Sequence, residues 1–125
     1  MAVSEMPEIT QDPMYQHLRM DDTKSFNSMK EAGNTCNLVC VNLRGLDMRG
    51  LDAEGLDFTD SYMRNADLRG IDFRGAILEG VNIRGAKISG TYFPSEISAE
   101  EVCMSLEHGT RLRCCPVRKK ILTDE

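Results

Sequence analysis

Tryptophan is absent from this 125-residue chain, and only 6% of its residues are aromatic. Hydrophobic content is nevertheless 41%, so a core has to be assembled from Leu, Ile, Val, Met and Ala in small layers rather than around large rings. The length suits one domain and leaves no room for a second full core. No apolar run approaches the roughly 20 residues of a membrane span, so no membrane partner is expected. The opening Met1-Ala2-Val3-Ser4-Glu5-Met6-Pro7-Glu8 has neither the basic nor the apolar part of a secretory signal, and the expected location is cytoplasmic. Positive charge is also in short supply. The net charge of −5 and a pI near 5.1 argue against direct nucleic-acid binding, which rests on phosphate neutralisation by Lys and Arg.

An even complement of cysteines is lacking too. The five, Cys36, Cys40, Cys103, Cys114 and Cys115, read as reduced thiols in the absence of a secretory signal. Cys36 and Cys40 are spaced C-x3-C with no second pair and no nearby His, which is a poor zinc signature. The vicinal Cys114-Cys115 leaves a redox pair open, although tail thiols are the simpler reading. His17 and His108 have no Cys, Ser or acid at motif spacing. There is no P-loop and no G-x-G-x-x-G ahead of a helix. No enzyme, cofactor or metal is expected.

What the chain has is a period. From Cys36 to Ser95 it divides into twelve five-residue units, of which Leu46-Asp47-Met48-Arg49-Gly50 is typical. The third position is Leu38, Leu43, Met48, Ala53, Phe58, Met63, Leu68, Phe73, Leu78, Ile83, Ile88 and Phe93, apolar in every unit. The first position is apolar except at Ser61 and Thr91. The second is Asp or Asn in eight units, and the fifth is Gly in eight. In extended chain, positions one and three share a face and positions two and four share the other. Five is odd, so straight continuation would turn the next apolar pair outward. The fifth residue therefore has to bend the chain, a role Gly tolerates. Repeated bending wraps the chain around its own apolar face.

This pattern resembles the pentapeptide-repeat family, whose consensus is A-(D/N)-L-x-x. The resemblance implies an all-β solenoid: a short right-handed quadrilateral β-helix, four units and 20 residues to the coil, hence about three coils for residues 36–95. With coils ~4.8 Å apart the stack is only ~15 Å tall, near the roughly three-repeat minimum for a solenoid. One departure stands out. The family favours small first-position residues, whereas Leu46, Leu51, Leu56 and Ile71 are large and are expected to swell or distort part of the first two coils. Short α-helices should cap the open ends, since bare edges invite pairing with other chains.

At the C-terminal end, Ser98 with Glu101 three residues later forms the sequence of a capping box, and Ile97 with Val102 that of a hydrophobic staple. Gly109 is a natural stop. The capping segment is read as 96–110, its helix as about 99 to 108, and its inner side as Val102, Leu106 and Cys103. At the N-terminal end, residues 14–35 are read as a cap with one short helix starting at Asp21-Asp22-Thr23, placing Phe26 and Met29 on the first coil. Residues 1–13 and the basic tail 111–125 are expected to be mobile.

On the outside, the 20-residue period stacks Arg44, Arg64 and Arg84 in one column and Arg49, Arg69 and Ser89 in the next. Second-position columns beside them carry Asp47 and Asp67, then Asp52 and Asp72. Arginines ~5 Å apart repel unless paired, so the expectation is a solvated surface of Asp–Arg pairs worth ~0–1 kcal/mol each. The competing expectation is an interaction face for an unidentified acidic protein partner, made by Arg44, Arg64, Arg84, Arg49 and Arg69. Some relatives are implicated in protecting DNA gyrase from quinolones as acidic DNA mimics. Others are bacterial effectors or scaffolds, and some pair through their C-terminal ends, so the resemblance also implies a homodimer through a terminal end. Residues 36–95 hold six Asp and two Glu against six Arg and one Lys, a net of −1, which is too neutral for a DNA mimic. The function read from the sequence is a non-enzymatic, rigid protein-interaction or structural module. A topoisomerase-directed inhibitor and an effector-type scaffold are the alternatives.

Overall fold

Isolated parallel bridges offset by twenty residues organise the repeat. They join Asn42 to Tyr62, Asp47 to Asp67, Asp57 to Ile77, Tyr62 to Asn82, Asp67 to Lys87 and Asp72 to Tyr92. Each pairs the second position of one unit with the second position four units on. The structure, a computed structural model, describes residues 7–115. The looseness expected of residues 1–6 and of the basic stretch Arg118-Lys119-Lys120 lies outside the described residues.

A single bonding pattern recurs. The third-position N–H donates to a second-position carbonyl on the next coil, as in Leu43 to Tyr62 at 2.8 Å and Leu68 to Lys87 at 2.9 Å. The second-position N–H of the lower coil answers to the first-position carbonyl above, as in Asp67 to Leu46 at 2.8 Å. Between units the first-position N–H closes a turn on the preceding third-position carbonyl, as in Leu51 to Met48 at 3.1 Å. The fifth residue of that turn has positive φ, as a type II turn requires, in Gly50 (85°) and also in Asp60 (62°) and Asn65 (60°). So much of each unit is spent on turning that, among the described residues, no bridge grows into a continuous strand or sheet. The coil is thus a repeat solenoid whose described part is a stack of turns linked by single parallel bridges, with three α-helices around it among the described residues.

Two rungs of the ladder lack a bridge, Asn37 to Asp57 in the first unit and Asp52 to Asp72 where large residues meet. Leu46 stacks over Ala66, Leu56 over Ala76 and Ile71 over Thr91, and the bridge beside each is intact. Leu51 stacks over Ile71, large on large, and no bridge joins Asp52 to Asp72. All four large residues are buried. The two polar first-position residues close their own hydrogen bonds. Ser61 Oγ donates to the Leu38 carbonyl at 2.6 Å and accepts Val41 N–H at 2.9 Å. Thr91 Oγ1 donates to the Leu68 carbonyl at 2.6 Å.

Inside the coil, Leu38, Leu43, Met48, Ala53, Phe58, Met63, Leu68, Phe73, Leu78 and Ile83 are buried. Ile88 and Phe93 are only half-buried against this core, a correction to their place in it, because the cover beneath the last coil is incomplete.

The N-terminal cap has two helices where one was expected: α1, Pro13–Arg19, and α2, Thr23–Glu31. Asp12 caps α1 by accepting Met14 N–H at 2.8 Å, with Pro13 at the first helical position where its missing N–H costs nothing. Met14, Tyr15 and Leu18 are buried, as is Phe26 from α2, while Met29 packs half-buried against the core. The expected mobility of residues 1–13 is corrected for their described part. Glu8 bridges to Val41, donating to the Cys40 carbonyl at 2.9 Å and accepting from Asn42 N–H at 2.8 Å. Side chains of the cap then serve the rest of the exposed edge. Asp21 Oδ1 accepts Asp47 N–H, and Asn27 accepts Asp52 N–H while donating to the Gly50 carbonyl. Thr23 donates to the Arg49 carbonyl at 2.9 Å. Backbone groups that another coil would have paired are thus satisfied.

The C-terminal cap is α3, Ala99–His108, started by Ser98, which accepts Glu101 N–H, and ended at Gly109 in the left-handed region. The reciprocal half of the capping box is not made, because the Glu101 carboxylate takes Arg113 instead, at 2.6 Å. Cys103 is exposed rather than inward. The inward side is Ser105, with Val102 and Leu106 half-buried. Ser105 Oγ accepts Ile83 N–H at 3.0 Å, and the Leu106 carbonyl accepts Gly85 N–H at 3.2 Å. Residues 111–115, expected to be mobile, return as a strap instead. Leu112 is fully buried and exchanges bonds with Gly80 and Val81 at 2.7 and 2.8 Å.

Candidate functional site

The outward arginines fall into two groups, and the second-position residue decides which. In Asp47-Met48-Arg49, Asp67-Leu68-Arg69 and Asp72-Phe73-Arg74 the aspartate does two jobs. One carboxylate oxygen accepts the arginine's own backbone N–H, at 3.2, 3.3 and 2.9 Å, fixing the turn. The same carboxylate also takes the guanidinium in a two-pronged pair at 2.7–2.9 Å. Asp67 additionally reaches Arg49 across the coil, at 3.4 Å. The hydrogen bonds from Arg69 and Arg74 hold the carboxyls of Asp67 and Asp72 down at about 2. Arg74 also lies over the Tyr92 ring, 4.3 Å from its centroid.

The second group is Arg44, Arg64 and Arg84, where the second position is Asn42, Tyr62 and Asn82. The asparagines keep the turn, accepting the N–H of Arg44 and Arg84 at 3.0 Å. An amide carries no charge, so the guanidiniums have no partner in their own unit. Among the described residues no carboxylate lies within ion-pair distance of Arg44, Arg64 or Arg84. The expectation that every coil arginine is neutralised by neighbouring acids is therefore corrected for this column, and holds for Arg49 and Arg69. The reason is that pairing is local, two residues back, rather than across to the next column. The distinction between Asn-x-Arg and Asp-x-Arg was present in the sequence as its signal.

This column has no acidic residue in any of its units, 41–45, 61–65 and 81–85. Adjacent rungs are tied by backbone bonds from Gly45 to Arg64 and from Asn65 to Arg84, both 2.8 Å. The corner is crowded as well: Gly85 has φ +73°, and a Cβ there would run into Asn65 Oδ1 from the neighbouring coil. At the N-terminal end α1 adds Arg19, whose Nη1 lies 3.5 Å from the Asn42 carbonyl, beside Tyr15, which donates to the same carbonyl at 2.5 Å. The column on the other side, with Asp57, Asp60 and Glu79, is acidic. Opposite signs thus stand side by side on the coil.

Elsewhere the surface offers less. A cleft of about 620 Å³ lies between α3, the strap and Asp60 with Glu79. Its charges are already engaged: Arg111 with Asp60 at 3.2 Å, Arg113 with Glu101, and Glu79 accepting Cys114 N–H at 2.9 Å. Among the described residues no group of His, Cys, Asp or Glu gathers to hold a metal, and no helix is long and apolar enough to cross a membrane. His17 sits in α1, 3.7 Å from Asp22, and His108 ends α3.

The thiols divide by environment. Cys103 and Cys115 are exposed. Burial, with Asp12 nearby, pushes the Cys36 thiol up to about 12, and burial with Glu79 pushes Cys114 up to about 11. Since the thiolate is the reactive form, a chromogenic disulfide reagent at neutral pH should label Cys103 and Cys115 well ahead of Cys36 and Cys114. Mass mapping of the first products checks this. Equally fast labelling of Cys36 would place it outside the packed N-terminal cap.

A family model described as pentapeptide repeats matches residues 36–75 and 57–93, in eight copies. Residues 36–93 are a pentapeptide-repeat array of that family. No curated protein and no solved structure matches the chain. In this array Asn42, Tyr62 and Asn82 stand where Asp47, Asp67 and Asp72 stand in other units. Asn42 and Tyr62 are half-exposed, whereas Asn82 is buried and donates to the Gly109 carbonyl at 3.0 Å.

Proposed function

We propose that this pentapeptide-repeat protein is a non-enzymatic, rigid interaction module whose coil docks a protein partner on the Arg44–Arg64–Arg84 column. In this reading the coil is a short right-handed quadrilateral β-helix of three turns, closed by helical caps. The observation that carries it is the column of three guanidiniums with no carboxylate at ion-pair distance among the described residues. Paired arginines on the next column serve the fold's own electrostatics, whereas a row of uncompensated like charges costs a little stability and adds nothing to the core. Acidic surfaces meeting such a row would associate faster and more selectively.

The topoisomerase-directed alternative draws no support from this surface. A DNA mimic needs a continuous negative field, and here the positive column interrupts it. An effector-type scaffold would use the same face, and differs only in where its partner resides.

The test is affinity capture from native cells with the wild type and an Arg44→Gln/Arg64→Gln/Arg84→Gln variant. Because these side chains have no carboxylate partner among the described residues, stability should change by less than about 0.5 kcal/mol. The variant should lose the partner, and wild-type capture should weaken as salt rises. Unchanged capture by the folded variant would remove this column from the interaction. In parallel, the wild type should neither inhibit gyrase supercoiling nor protect it from a quinolone. Clear protection would put the topoisomerase reading first.

A further inference from the structure

We propose that the Arg44–Arg64–Arg84 column seats an acidic α-helix of the partner, lying along the coil axis with one carboxylate per turn over each arginine. This rests on the docking reading above and adds the partner's shape to it. The argument is one of spacing. Rungs bonded at 2.8 Å repeat every ~4.7–4.9 Å. A helix brings a side chain back to the same face every ~5.4 Å. Across three rungs a helix therefore drifts by only about 1 Å, which the arginine stems absorb. An extended strand repeats its face every ~6.6–6.8 Å and drifts by about 4 Å over the same span, so its carboxylates lose register after one arginine.

Three further features fit a helix on this face. Arg19 of α1, beside the Asn42 carbonyl and without an ion pair among the described residues, extends the positive row past the first coil. Tyr62, half-exposed in the middle of the row, has no hydrogen bond from its hydroxyl among the described residues and offers a neutral donor between arginines. On the flanking column Asp57, whose carboxylate has no cationic partner among the described residues, disfavours a carboxylate-bearing helix that slides off sideways.

The discriminating variant uses the protein's own pairing rule. Asn42→Asp keeps the acceptor for Arg44 N–H, and Asn42→Asp/Tyr62→Asp supplies Arg44 and Arg64 with internal carboxylates like those of Arg49 and Arg69. Fluorescence anisotropy would measure three peptides of about 14 residues, roughly four helical turns. One is a stapled helix with Glu at i, i+4, i+7 and i+11. The second is the same stapled helix with those Glu residues scattered around it. The third is a proline-interrupted extended peptide with alternating Glu. A fourth probe is a single-stranded oligonucleotide of equal charge.

The wild-type full chain should bind the first peptide about tenfold more tightly than any other probe, a difference of about 1.4 kcal/mol. The double-Asp variant should lose about that tenfold while its circular dichroism and melting point stay unchanged. Equal or tighter binding of the scattered, extended or nucleic-acid probe, no binding of any probe, or full affinity in the double-Asp variant would overturn the helix proposal. The docking reading is judged separately. Arginine-dependent capture of the cellular partner alongside a negative peptide result sinks only the helix, and loss of arginine dependence in both assays sinks both.

Discussion

Phe73→Ala is expected to be the most damaging single substitution in the coil, lowering stability by about 3–5 kcal/mol. Phe73 is fully buried in the middle coil and holds a line of three rings together. Its centroid is 5.9 Å from Phe58 in an edge-to-face arrangement and 6.3 Å from Phe93, nearly parallel. Removing it leaves a void that neighbours cannot fill, because their backbones are fixed by the ladder above and below, where Phe73 N–H itself donates to the Tyr92 carbonyl at 2.8 Å. In a stack where each coil touches only its neighbours, losing the middle one uncouples both ends. Domains of this size are stable by only ~5–15 kcal/mol, so thermal melts should shift downward by on the order of 15 °C or more. Phe93→Ala, at a half-buried position in the last coil, should cost less. A loss below about 1 kcal/mol at Phe73 would take it out of the core and break the register of the whole repeat.

That register was legible because the unit states it redundantly. An apolar third position in every unit, and glycine at most corners, leave one way to wrap the chain, and the parallel bridges fall on the 20-residue offset that wrapping implies. Of the two missing bridges, the one at Asp52 and Asp72 was legible in part, since Leu51 over Ile71 is the one place where two large first-position residues stack. Other parts were written more faintly. Helix α1 is only seven residues long, too short for a period to emerge, although Asp12-Pro13 and the i, i+4 pair Met14 and Leu18 were its signals. Nothing around Leu112 announces a buried strap. Its place is set by carbonyl and amide groups of Gly80 and Val81, which are invisible to side-chain patterning.

The arginine column shows a different limit. Stacking was readable from the period, but charge compensation was not, because it depends on whether a guanidinium folds back two residues or reaches sideways. The structure answers in favour of folding back, and then a one-atom-type difference between Asn42 and Asp47 decides whether the arginine above the turn is engaged or available.

A chain ended at Ser95 should lose most of its stability and its solubility together. The deletion removes Ile97 and Leu112, both buried, along with the half-buried Val102 and Leu106. At ~1.5–3 kcal/mol for each fully buried aliphatic side chain and less for the others, the loss is on the order of 5 kcal/mol, comparable to the whole stability of a small domain. It also strips partners from the last coil. Gly80, Ile83 and Gly85 would no longer donate to the Leu112 carbonyl, Ser105 Oγ and the Leu106 carbonyl. These N–H groups would face solvent as an unpaired edge, alongside the half-buried Ile88 and Phe93, and an open edge next to apolar surface is a template for association. The expected results are a collapsed melting transition in differential scanning fluorimetry and a shift to large species in light scattering. Ser98→Ala, which removes only the helix cap, should cost about 1 kcal/mol and leave the light-scattering size of the full chain unchanged. If the shortened chain were as stable as the full one and remained monodisperse, the coil would be self-sufficient. In that case α3 and its strap would have to be something other than a lid on the last coil.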